Sequence, residues 1–305
     1  MKIIVTGATG FVGKNLTAYL NKQHVEVQDL SLRKIDWKDH IDKNATAIIH
    51  LAGKAHDTAN TSLAEEYFII NRDLTIALFN EFLKSDIKDF FFFSSVKAVA
   101  DTVDGVLYED VMPKVVTPYG QSKLEAETYL LNQHLPDGKR LFIIRPCMIH
   151  GPGNKGNLNL LYKVVEKGIP WPLAAFHSKR SFLSIDNLNY LIHQMLVETK
   201  VSSGIYNFAD DNAISINQLI GIISDTLGKK NKLLYINTNF IRNIIKFGDL
   251  LSLPLNSEQL KKLTGSYVVS NKKIKVTLGI NKLPLSTVDG LRKTFRNFKF
   301  KDDLM

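Results

Sequence analysis

Tyr119 and Lys123 stand four residues apart, early in a segment with helical character. Helical spacing places the two side chains on one face, one turn apart. A lysine ammonium beside a phenol favours the phenolate and lowers the pKa of that phenol towards neutral pH. Such a phenol can take a proton from an alcohol or give one to a carbonyl. The pair therefore predicts acid/base chemistry at a C–O bond, if other segments bring the reacting groups beside it.

The chain opens with a strand, a glycine-rich turn and a helix, which together predict a dinucleotide-binding site. Residues 2–6 are an apolar β-branched run, the glycine turn follows, and an amphipathic stretch extends to Lys22. Glycines permit close approach of the backbone to a pyrophosphate, and the helix N-terminus offers free N–H groups. The glycine spacing is Gly-x-x-Gly-x-x-Gly rather than the Gly-x-Gly-x-x-Gly of the standard fingerprint. The predicted contacts are Gly7, Thr9, Gly10, Phe11, Val12 and Gly13.

Together with the Ser94–Ser95 pair that follows an apolar strand, these motifs resemble the extended short-chain dehydrogenase/reductase family. The resemblance covers nearly the whole chain and points to the NAD-dependent epimerase/dehydratase branch, which includes UDP-sugar 4-epimerases and UDP-4-keto-6-deoxy-N-acetylhexosamine 4-reductases. It implies an enzyme in which Ser95, Tyr119 and Lys123 are catalytic. Tyr119 is then the acid/base, Ser95 holds the substrate oxygen at C4, and Lys123 lowers the phenol pKa and bonds the nicotinamide ribose.

Strand-like and helix-like segments alternate along the first 150 residues. Strands are expected at 24–30, 45–51, 89–94 and 141–145, and helices at 62–84 and 118–133. This alternation predicts an α/β fold with a Rossmann-like, doubly wound parallel sheet. Ligands bind at the carboxyl ends of the strands in such a sheet. The motifs at these ends include further predicted cofactor contacts, which are Leu51, Ala52, Gly53 and Pro146.

Turn-forming residues from Gly151 onwards indicate a second, smaller part of the chain. We expect residues 1–150 and about 181–212 to form the dinucleotide-binding domain. Residues 151–180 and 213–305 are then a smaller, discontinuous C-terminal substrate-binding domain.

The residues after the second predicted strand bear on the choice of nicotinamide cofactor. A carboxylate near this strand end binds the ribose 2′-OH in NAD enzymes, and Asp29 is a candidate for that role. Alignment to the family pattern without gaps instead puts Ser31 at the usual acidic position, with Arg33 close behind. A hydroxyl and a cation suit the 2′-phosphate of NADP. NADP is therefore slightly preferred and NAD stays the alternative, while Asp36 resembles a residue that contacts adenine.

Three residues resemble substrate or active-site contacts of the family. Arg180, within residues 178–186, matches an arginine that binds the nucleotide diphosphate, for which a guanidinium is a natural partner. Asn157 resembles an asparagine that contacts the same diphosphate, and Asn71 resembles a helix asparagine near the active site. The resemblance thus implies a nucleotide-sugar substrate.

The residues after Ser95 narrow the reaction. Dehydratases of the family carry Asp-Glu at this point, whereas this chain has Val96 and Lys97. Neither side chain can serve as a carboxylic acid or carboxylate base, so loss of water is not expected. A 4-epimerase and a 4-ketoreductase of surface-polysaccharide synthesis remain, and a non-catalytic dinucleotide sensor or interaction protein on the same fold is the alternative.

Length and composition suit a globular cytoplasmic enzyme. The 305 residues contain one cysteine, Cys147, so no internal disulfide forms. No apolar run of eighteen residues predicts a transmembrane helix, no signal peptide precedes the first strand, and no cluster suggests a metal. A homodimer is expected through the helices at 62–84 and 118–133, as in many relatives.

Charge is distributed unevenly along the chain. Residues 229–305 carry 16 Lys and Arg against 5 Asp and Glu, within a whole-chain net charge of +9. This basic third can attract a dianionic nucleotide sugar or an anionic membrane surface, or form a solvated face. The apolar stripe of residues 240–251 admits peripheral membrane contact, although packing onto the protein is the simpler expectation. The amphipathic tail argues for a terminal helix rather than nucleic-acid binding.

Overall fold

A computed structural model describes residues 1–54, 63–154, 156–250 and 257–302. The strands are β1 (Lys2–Thr6), β2 (Glu26–Leu30), β3 (Ala47–His50), β4 (Asp89–Phe93), β5 (Val106–Leu107), β6 (Arg140–Pro146), β7 (Met148–His150), β8 (Lys179–Arg180), β9 (Phe182–Ser184), β10 (Gly204–Phe208), β11 (Ile214–Ser215) and β12 (Val268–Val269). The helices are α1 (Phe11–Lys22), α2 (Ala64–Tyr67), α3 (Leu74–Lys84), α4 (Pro118–Leu131), α5 (Asn157–Glu166), α6 (Ile185–Val197), α7 (Ile216–Leu227), α8 (Thr238–Leu250), α9 (Ser257–Thr264), α10 (Lys272–Thr277) and α11 (Thr287–Asp302).

Six parallel strands form the central sheet, in the order β10-β6-β4-β3-β1-β2. The chain runs outward from β1 to β2 and then returns to β3 on the other side of β1. This reversal creates a crevice at the carboxyl ends of the strands, where ligands bind in folds of this kind. The registers align Thr6 with both Leu30 and His50, so the loops after β1, β2 and β3 start side by side. The predicted α/β fold with a doubly wound parallel sheet is confirmed.

Helices cover both faces of the sheet, as the packing of β4 shows. Its four consecutive phenylalanines are buried, and they alternate between two apolar clusters. Phe91 and Phe93 pack with α1 and α6, whereas Phe90 and Phe92 pack with α3 and α4. Full burial of one such side chain contributes about 2–3 kcal/mol. A strand that is apolar on both faces therefore fits only the middle of a two-sided sheet.

The remaining elements build a separate apolar cluster beside the sheet. Side chains of α5, α7 and α11 pack around Tyr162 and Phe295. The segment near β12 behaves differently, because Val269, Ile274 and Leu283 join the cluster on the α1 face of the sheet. The division into two domains at the boundaries given above stays a prediction.

Most predicted elements differ from the observed bounds by one or two residues, and two of these differences accompany an unusual backbone. β2 begins at Glu26 rather than residue 24, because His24 has a left-handed backbone with φ of 58°. The helix expected at 62–84 is observed from Ala64 and contains a π-helical segment, Phe68–Asp73, between α2 and α3. No helix in the described ranges combines the length and the apolar character that a bilayer crossing requires.

Candidate active site

The turn between β1 and α1 is built on two glycines that no other residue can replace. Gly7 has φ of +72°, and a Cβ there would lie 2.7 Å from the main-chain nitrogen of Ala52. A Cβ on Gly13 would lie 2.3 Å from the Gly7 carbonyl oxygen. The first turn of α1 therefore packs directly on the backbone of the turn between β1 and α1. The loop after β3 packs against Gly7 in the same turn. Gly10 is held by a hydrogen bond from its N–H to the Gly7 oxygen, at 3.0 Å.

The N-terminus of α1 fits the diphosphate of a nicotinamide dinucleotide. The N-cap residue is Gly10, which has no side chain to occupy the free N–H groups, and the first turn contains no acidic residue. The N–H groups of the first turn, which begins with Phe11 and Val12, have no partner within the helix. These donors and the positive end of the helix dipole suit an anion. Thr9 is exposed in the same turn.

The residues predicted to read the adenosine end lie just beyond β2. Ser31 is the first residue after the strand, next to the start of the glycine turn, and it is exposed. Arg33 is also exposed, while Leu32 between them is buried. The Asp36 carboxylate pairs with His40 at 3.1 Å, and this hydrogen bond lowers the pKa of Asp36. Ser31 and Arg33 are thus both exposed on the segment that follows β2.

The start of α4 is fixed by contacts that place Tyr119 in its first turn. The Thr117 hydroxyl caps the helix by accepting from the N–H of Gly120, and Pro118 occupies the first helical position. The same Thr117 hydroxyl donates to Asp101 at 3.1 Å. A Cβ on Gly120 would lie 2.5 Å from the Lys97 carbonyl oxygen, so the helix packs closely on the loop that follows β4.

Tyr119 is half-buried, with its ring edge-on to Tyr67 at a centroid distance of 6.1 Å. Burial raises the pKa of Tyr119, a hydrogen bond to Ser95 lowers it, and nearby Tyr67 raises it further, with a net upward shift. The net shift is therefore opposite to the one expected from Lys123 alone. Desolvation disfavours the phenolate and outweighs the other contributions.

Ser95 and Lys123 meet at the end of β4. Ser95 is buried, and its Oγ accepts from the N–H of Lys97 at 3.1 Å, which caps the short 3-10 turn Val96–Ala98. Lys123 Nζ donates to the Phe93 carbonyl oxygen at 2.9 Å. Burial lowers the pKa of Lys123 to about 8, although the charge of Glu127 opposes the shift. The side chain thus remains largely an ammonium at neutral pH.

Asn71 lies in the π-helical segment and ties the loop after β3 to α4. Its amide oxygen accepts from the N–H of Lys54 at 2.8 Å, and its amide nitrogen donates to Ser122 Oγ at 3.2 Å. A Cβ on Gly53 would lie 2.9 Å from Asn71 Oδ1 and 3.3 Å from Lys123 Nζ. Gly53, Asn71 and Lys123 therefore converge. Such π-helical segments occur often at functional sites.

His50 is a buried, neutral side chain behind the loop that follows β3. Its ring nitrogens lie 2.7 Å from Thr6 Oγ1 and 2.9 Å from Thr75 Oγ1. Thr75 uses its hydroxyl hydrogen on the Asn71 carbonyl oxygen, so His50 Nε2 must donate and Nδ1 must accept. Burial, with a smaller effect of Lys123, lowers the pKa of His50 to about 3. Thr6 also accepts from the N–H of Ala52, which orients the strand-end loop.

Arg145 and Glu127 form a buried ion pair that sequence reasoning missed. Arg145 Nε donates to Glu127 Oε1 at 3.0 Å, and both side chains are less than 5% exposed. Glu127 lies one turn beyond Lys123 on α4. The pair therefore anchors α4 to β6 rather than serving a ligand at the strand end. An acidic residue four positions after Lys123 was the available signal, but its partner lies in another element.

Arg180 and Asn157, which the sequence predicts as substrate contacts, lie in two different elements. Arg180 lies in β8 and pairs with Ile214 of β11, and burial lowers its pKa. Asn157 begins α5, and its side chain lies outside the described part of the structure. Leu51 and Ala52 are half-buried in the loop after β3, and Pro146 is buried at the end of β6.

Comparison with known proteins decides the family. A model of the NAD dependent epimerase/dehydratase family matches residues 3–209. The chain belongs to this family. A UDP-glucose 4-epimerase from Vibrio cholerae is 29% identical over 97% of this chain and 95% of its own length. A GDP-6-deoxy-D-mannose reductase from Pseudomonas aeruginosa is 24% identical over 73% of this chain and 79% of its own length.

Solved structures share the fold of this chain. The structure titled "MoeE5 in complex with UDP-glucose and NAD" has a TM-score of 0.75 at 18% identity and covers 99% of both chains. Relatives are named as epimerases and reductases, so the chain is an enzyme that depends on a nicotinamide dinucleotide.

Two surface concavities lie away from the carboxyl edge of the central sheet. One of about 390 Å³ lies between α5 and α7, and one of about 800 Å³ borders β10 and α10. Neither is lined by Ser95, Tyr119 or Lys123. The convergence of titratable side chains at the strand ends therefore marks the candidate site.

Proposed function

We propose that the enzyme acts at C4 of a UDP-hexose or UDP-N-acetylhexosamine, as an NAD(P)-dependent 4-epimerase or 4-ketoreductase. The observation that carries the proposal is the meeting of Ser95, Tyr119 and Lys123 at the strand ends, beside the glycine turn of residues 7–13. The segments around Ser95, Gly151 and Arg180 resemble enzymes of surface-polysaccharide synthesis, and we place the enzyme in that process in the cytoplasm.

Tyr119 is the acid/base of the proposed reaction. In the oxidising direction the C4 hydroxyl loses its proton to the Tyr119 oxygen while the C4–H bond breaks and its electron pair departs as hydride. In the reducing direction a C4 ketone accepts hydride at carbon and the Tyr119 proton at oxygen. A bound nicotinamide dinucleotide supplies the hydride acceptor or donor, which protein side chains lack.

Ser95 and Lys123 position and polarise the reacting groups. The Ser95 oxygen accepts from a main-chain N–H, so its own hydrogen serves Tyr119 or the C4 oxygen. An ammonium has three donors, and one of those on Lys123 is used by the Phe93 carbonyl. We assign the others to the cofactor ribose. The positive charge also stabilises the phenolate that forms when Tyr119 gives up its proton.

The residues after β2 bear on the choice between the two reactions. Tyr119 is a phenol at neutral pH, the form that donates a proton to a ketone, and both a 4-ketoreductase and a 4-epimerase use this form. Ser31 and Arg33 favour NADPH, the usual soluble reductant, so we place the ketoreductase slightly ahead.

The cofactor preference has a direct test. Substitution of Arg33 by Ala should raise the KM for NADPH about tenfold and leave that for NADH nearly unchanged, because only NADPH carries the 2′-phosphate. The matched control is Lys38→Ala, an exposed cation farther along the same loop. An equal change for both cofactors would favour NAD. Tight NAD that copurifies with the enzyme would support the epimerase, and exchangeable NADPH would support the reductase.

The reaction itself is tested by turnover. Purified enzyme is incubated with UDP-N-acetylglucosamine, UDP-glucose or a UDP-4-keto-6-deoxy sugar, together with NAD or NADPH. Tyr119→Phe should lower kcat about 10²–10⁴-fold. Tyr129→Phe on the same helix loses a 3.1 Å hydrogen bond to Asn80 and should keep full activity. Full activity of Tyr119→Phe would refute the mechanism, and cofactor binding without any turnover would favour the non-catalytic sensor.

We also propose a homodimer that pairs through the helix of residues 64–84 and α4. Ile69 is half-exposed on the first of these helices, and Arg72 joins the two through Glu125 at 2.8 Å. Light scattering should give twice the chain mass, and Ile69→Glu should halve it. A monomer at micromolar concentration would contradict this arrangement.

A further inference from the structure

Tyr267 connects the loop that carries Ser95 to the strand that carries Arg180. Its hydroxyl lies 2.7 Å from the Ala100 carbonyl oxygen and 3.0 Å from the Val96 carbonyl oxygen. Carbonyl oxygens only accept, so the single phenolic hydrogen is shared between them. Val96 begins the short turn that Ser95 caps, and Ala100 follows that turn; they lie 171 and 167 positions away from Tyr267 in sequence.

The main chain of Tyr267 is paired at the same time with β8. Its N–H donates to the Lys179 carbonyl oxygen at 2.8 Å, and its own carbonyl accepts from the N–H of Ser181 at 2.9 Å. Arg180 lies between these two residues and forms an isolated bridge with Tyr267. One residue thus holds the arginine strand with its backbone and the serine turn with its side chain.

Lys97 packs on the ring of Tyr267. Its Nζ lies 4.7 Å from the centroid of the Tyr267 ring and donates to the Asp101 carbonyl oxygen at 2.8 Å. Lys97 occupies the place where dehydratases of the family carry an acid, and here it stacks on the ring instead. Burial raises the pKa of Tyr267, so its hydroxyl remains a hydrogen-bond donor throughout the neutral pH range.

We propose that Tyr267 is a positioning residue, which holds the Ser95 turn in its working place and couples that turn to Arg180. This inference rests on the proposed function for the roles of Ser95 and Arg180. Ser95 Oγ is bonded to the turn that Tyr267 holds, through the N–H of Lys97. A shift of the Val96 or Ala100 carbonyl therefore moves the hydroxyl away from Tyr119. Contacts at Arg180 reach the same turn through the backbone of Tyr267.

The test is Tyr267→Phe, which keeps the ring beneath Lys97 and removes only the hydroxyl. We expect kcat to fall about tenfold, the effect of losing a buried hydrogen bond that is felt at the reacting atoms, with KM changed less than about threefold. Tyr206→Phe is the matched control, because the Tyr206 hydroxyl also donates to a main-chain carbonyl, that of Ser202, at 2.8 Å. Tyr206→Phe should leave kcat unchanged while it lowers Tm as much as Tyr267→Phe does.

Coupling to Arg180 is measured by adding Arg180→Lys to each variant. The double variant should lose less activity than the product of the two single losses, whereas Arg180→Lys with Tyr206→Phe should be multiplicative. Unchanged kcat in Tyr267→Phe, or multiplicative losses in both pairs, would overturn the proposal.

A measurement without substrate separates this inference from the proposed function. Amide hydrogen exchange of residues 96–100 should be faster in Tyr267→Phe than in the native enzyme, and unchanged in Tyr206→Phe. Equal protection in all three proteins would refute the holding role. If exchange changes but no sugar nucleotide is turned over by the native enzyme, the proposed function fails while the holding role stands.

Discussion

The carboxyl edge of the central sheet and the C-terminal third of the chain differ in how far their charged side chains are buried. At the edge, Lys123, Glu127 and Arg145 are at most 5% exposed, and each is bonded to a defined partner. Residues 229–305 carry 16 basic against 5 acidic side chains, and described examples such as Lys229 and Lys261 are exposed. Buried charges therefore act through fixed geometry and altered pKa values, whereas exposed charges act through a screened field.

The largest expected effect of this contrast is on catalysis. Lys123→Met removes a buried ammonium that donates to Phe93 and stabilises the phenolate of Tyr119. We expect kcat to fall about 10²–10⁴-fold, with the fold retained because methionine fills a similar volume. Lys261→Met removes one of the exposed cations of the C-terminal third and should leave kcat unchanged. Equal effects of the two substitutions would end the comparison.

The next effect is on stability. Glu127→Gln leaves the Arg145 guanidinium buried without its counter-charge and should lower the free energy of unfolding by about 3 kcal/mol. Asp186→Asn breaks the pair with Lys293, whose 2.8 Å contact joins side chains that are 41% and 52% exposed, and should cost less than about 1 kcal/mol. Urea unfolding of both variants measures the difference, and a cost as small for Glu127→Gln as for Asp186→Asn would contradict burial of the pair.

Much of the edge could be predicted because parallel topology orders it. Strand–turn–helix patterns placed the glycine turn, the loop after β3 and Ser95 at strand ends, and such ends converge in any doubly wound sheet. The π-helical segment at Asn71 and the neutral state of His50 depend on hydrogen bonds between distant segments. The direction of the Tyr119 pKa depends on burial, which neither residue type nor spacing encodes.

The C-terminal third was harder to predict for a related reason. Its patterns are short and amphipathic, and they do not say which surface each helix covers. Val269 and Ile274, for example, belong to the apolar cluster on the α1 face of the central sheet. The Tyr267 hydroxyl contacts Val96 and Ala100, which lie more than 160 residues away in sequence, so no local pattern predicts this contact.

A smaller effect is expected on the pH dependence of activity. Lys123 has a pKa lowered to about 8 by burial, so its side chain is an ammonium below this pH and neutral above it. Activity needs the ammonium, so kcat/KM should fall about tenfold per pH unit above pH 8. His50, with a pKa of about 3, stays neutral and adds no limb near pH 6.5. A flat profile to pH 9.5 would show that the charge on Lys123 is not required.

The smallest expected effect is on membrane binding. The described part of the apolar stripe on α8 has a buried half and an exposed half. Ile241 and Ile245 are buried against Leu260, whereas Phe240 and Ile244 are 59% and 53% exposed. Packing thus removes half of the described stripe from any bilayer contact. The exposed cations should still attract anionic vesicles at low salt, and this attraction should vanish near 0.15 M salt, where the Debye length is about 8 Å.

Co-sedimentation with phosphatidylserine vesicles at low and high salt measures this last difference. We expect binding at low salt alone, with no change when Phe240 and Ile244 are both replaced by Ala. Because apolar insertion is insensitive to salt, binding that persists at high salt and is lost in the double variant would show that the stripe enters the bilayer. The C-terminal third would then bind the membrane through apolar contacts rather than through its screened charges. The contrast with the buried, paired charges at the edge of the sheet would no longer hold for this surface.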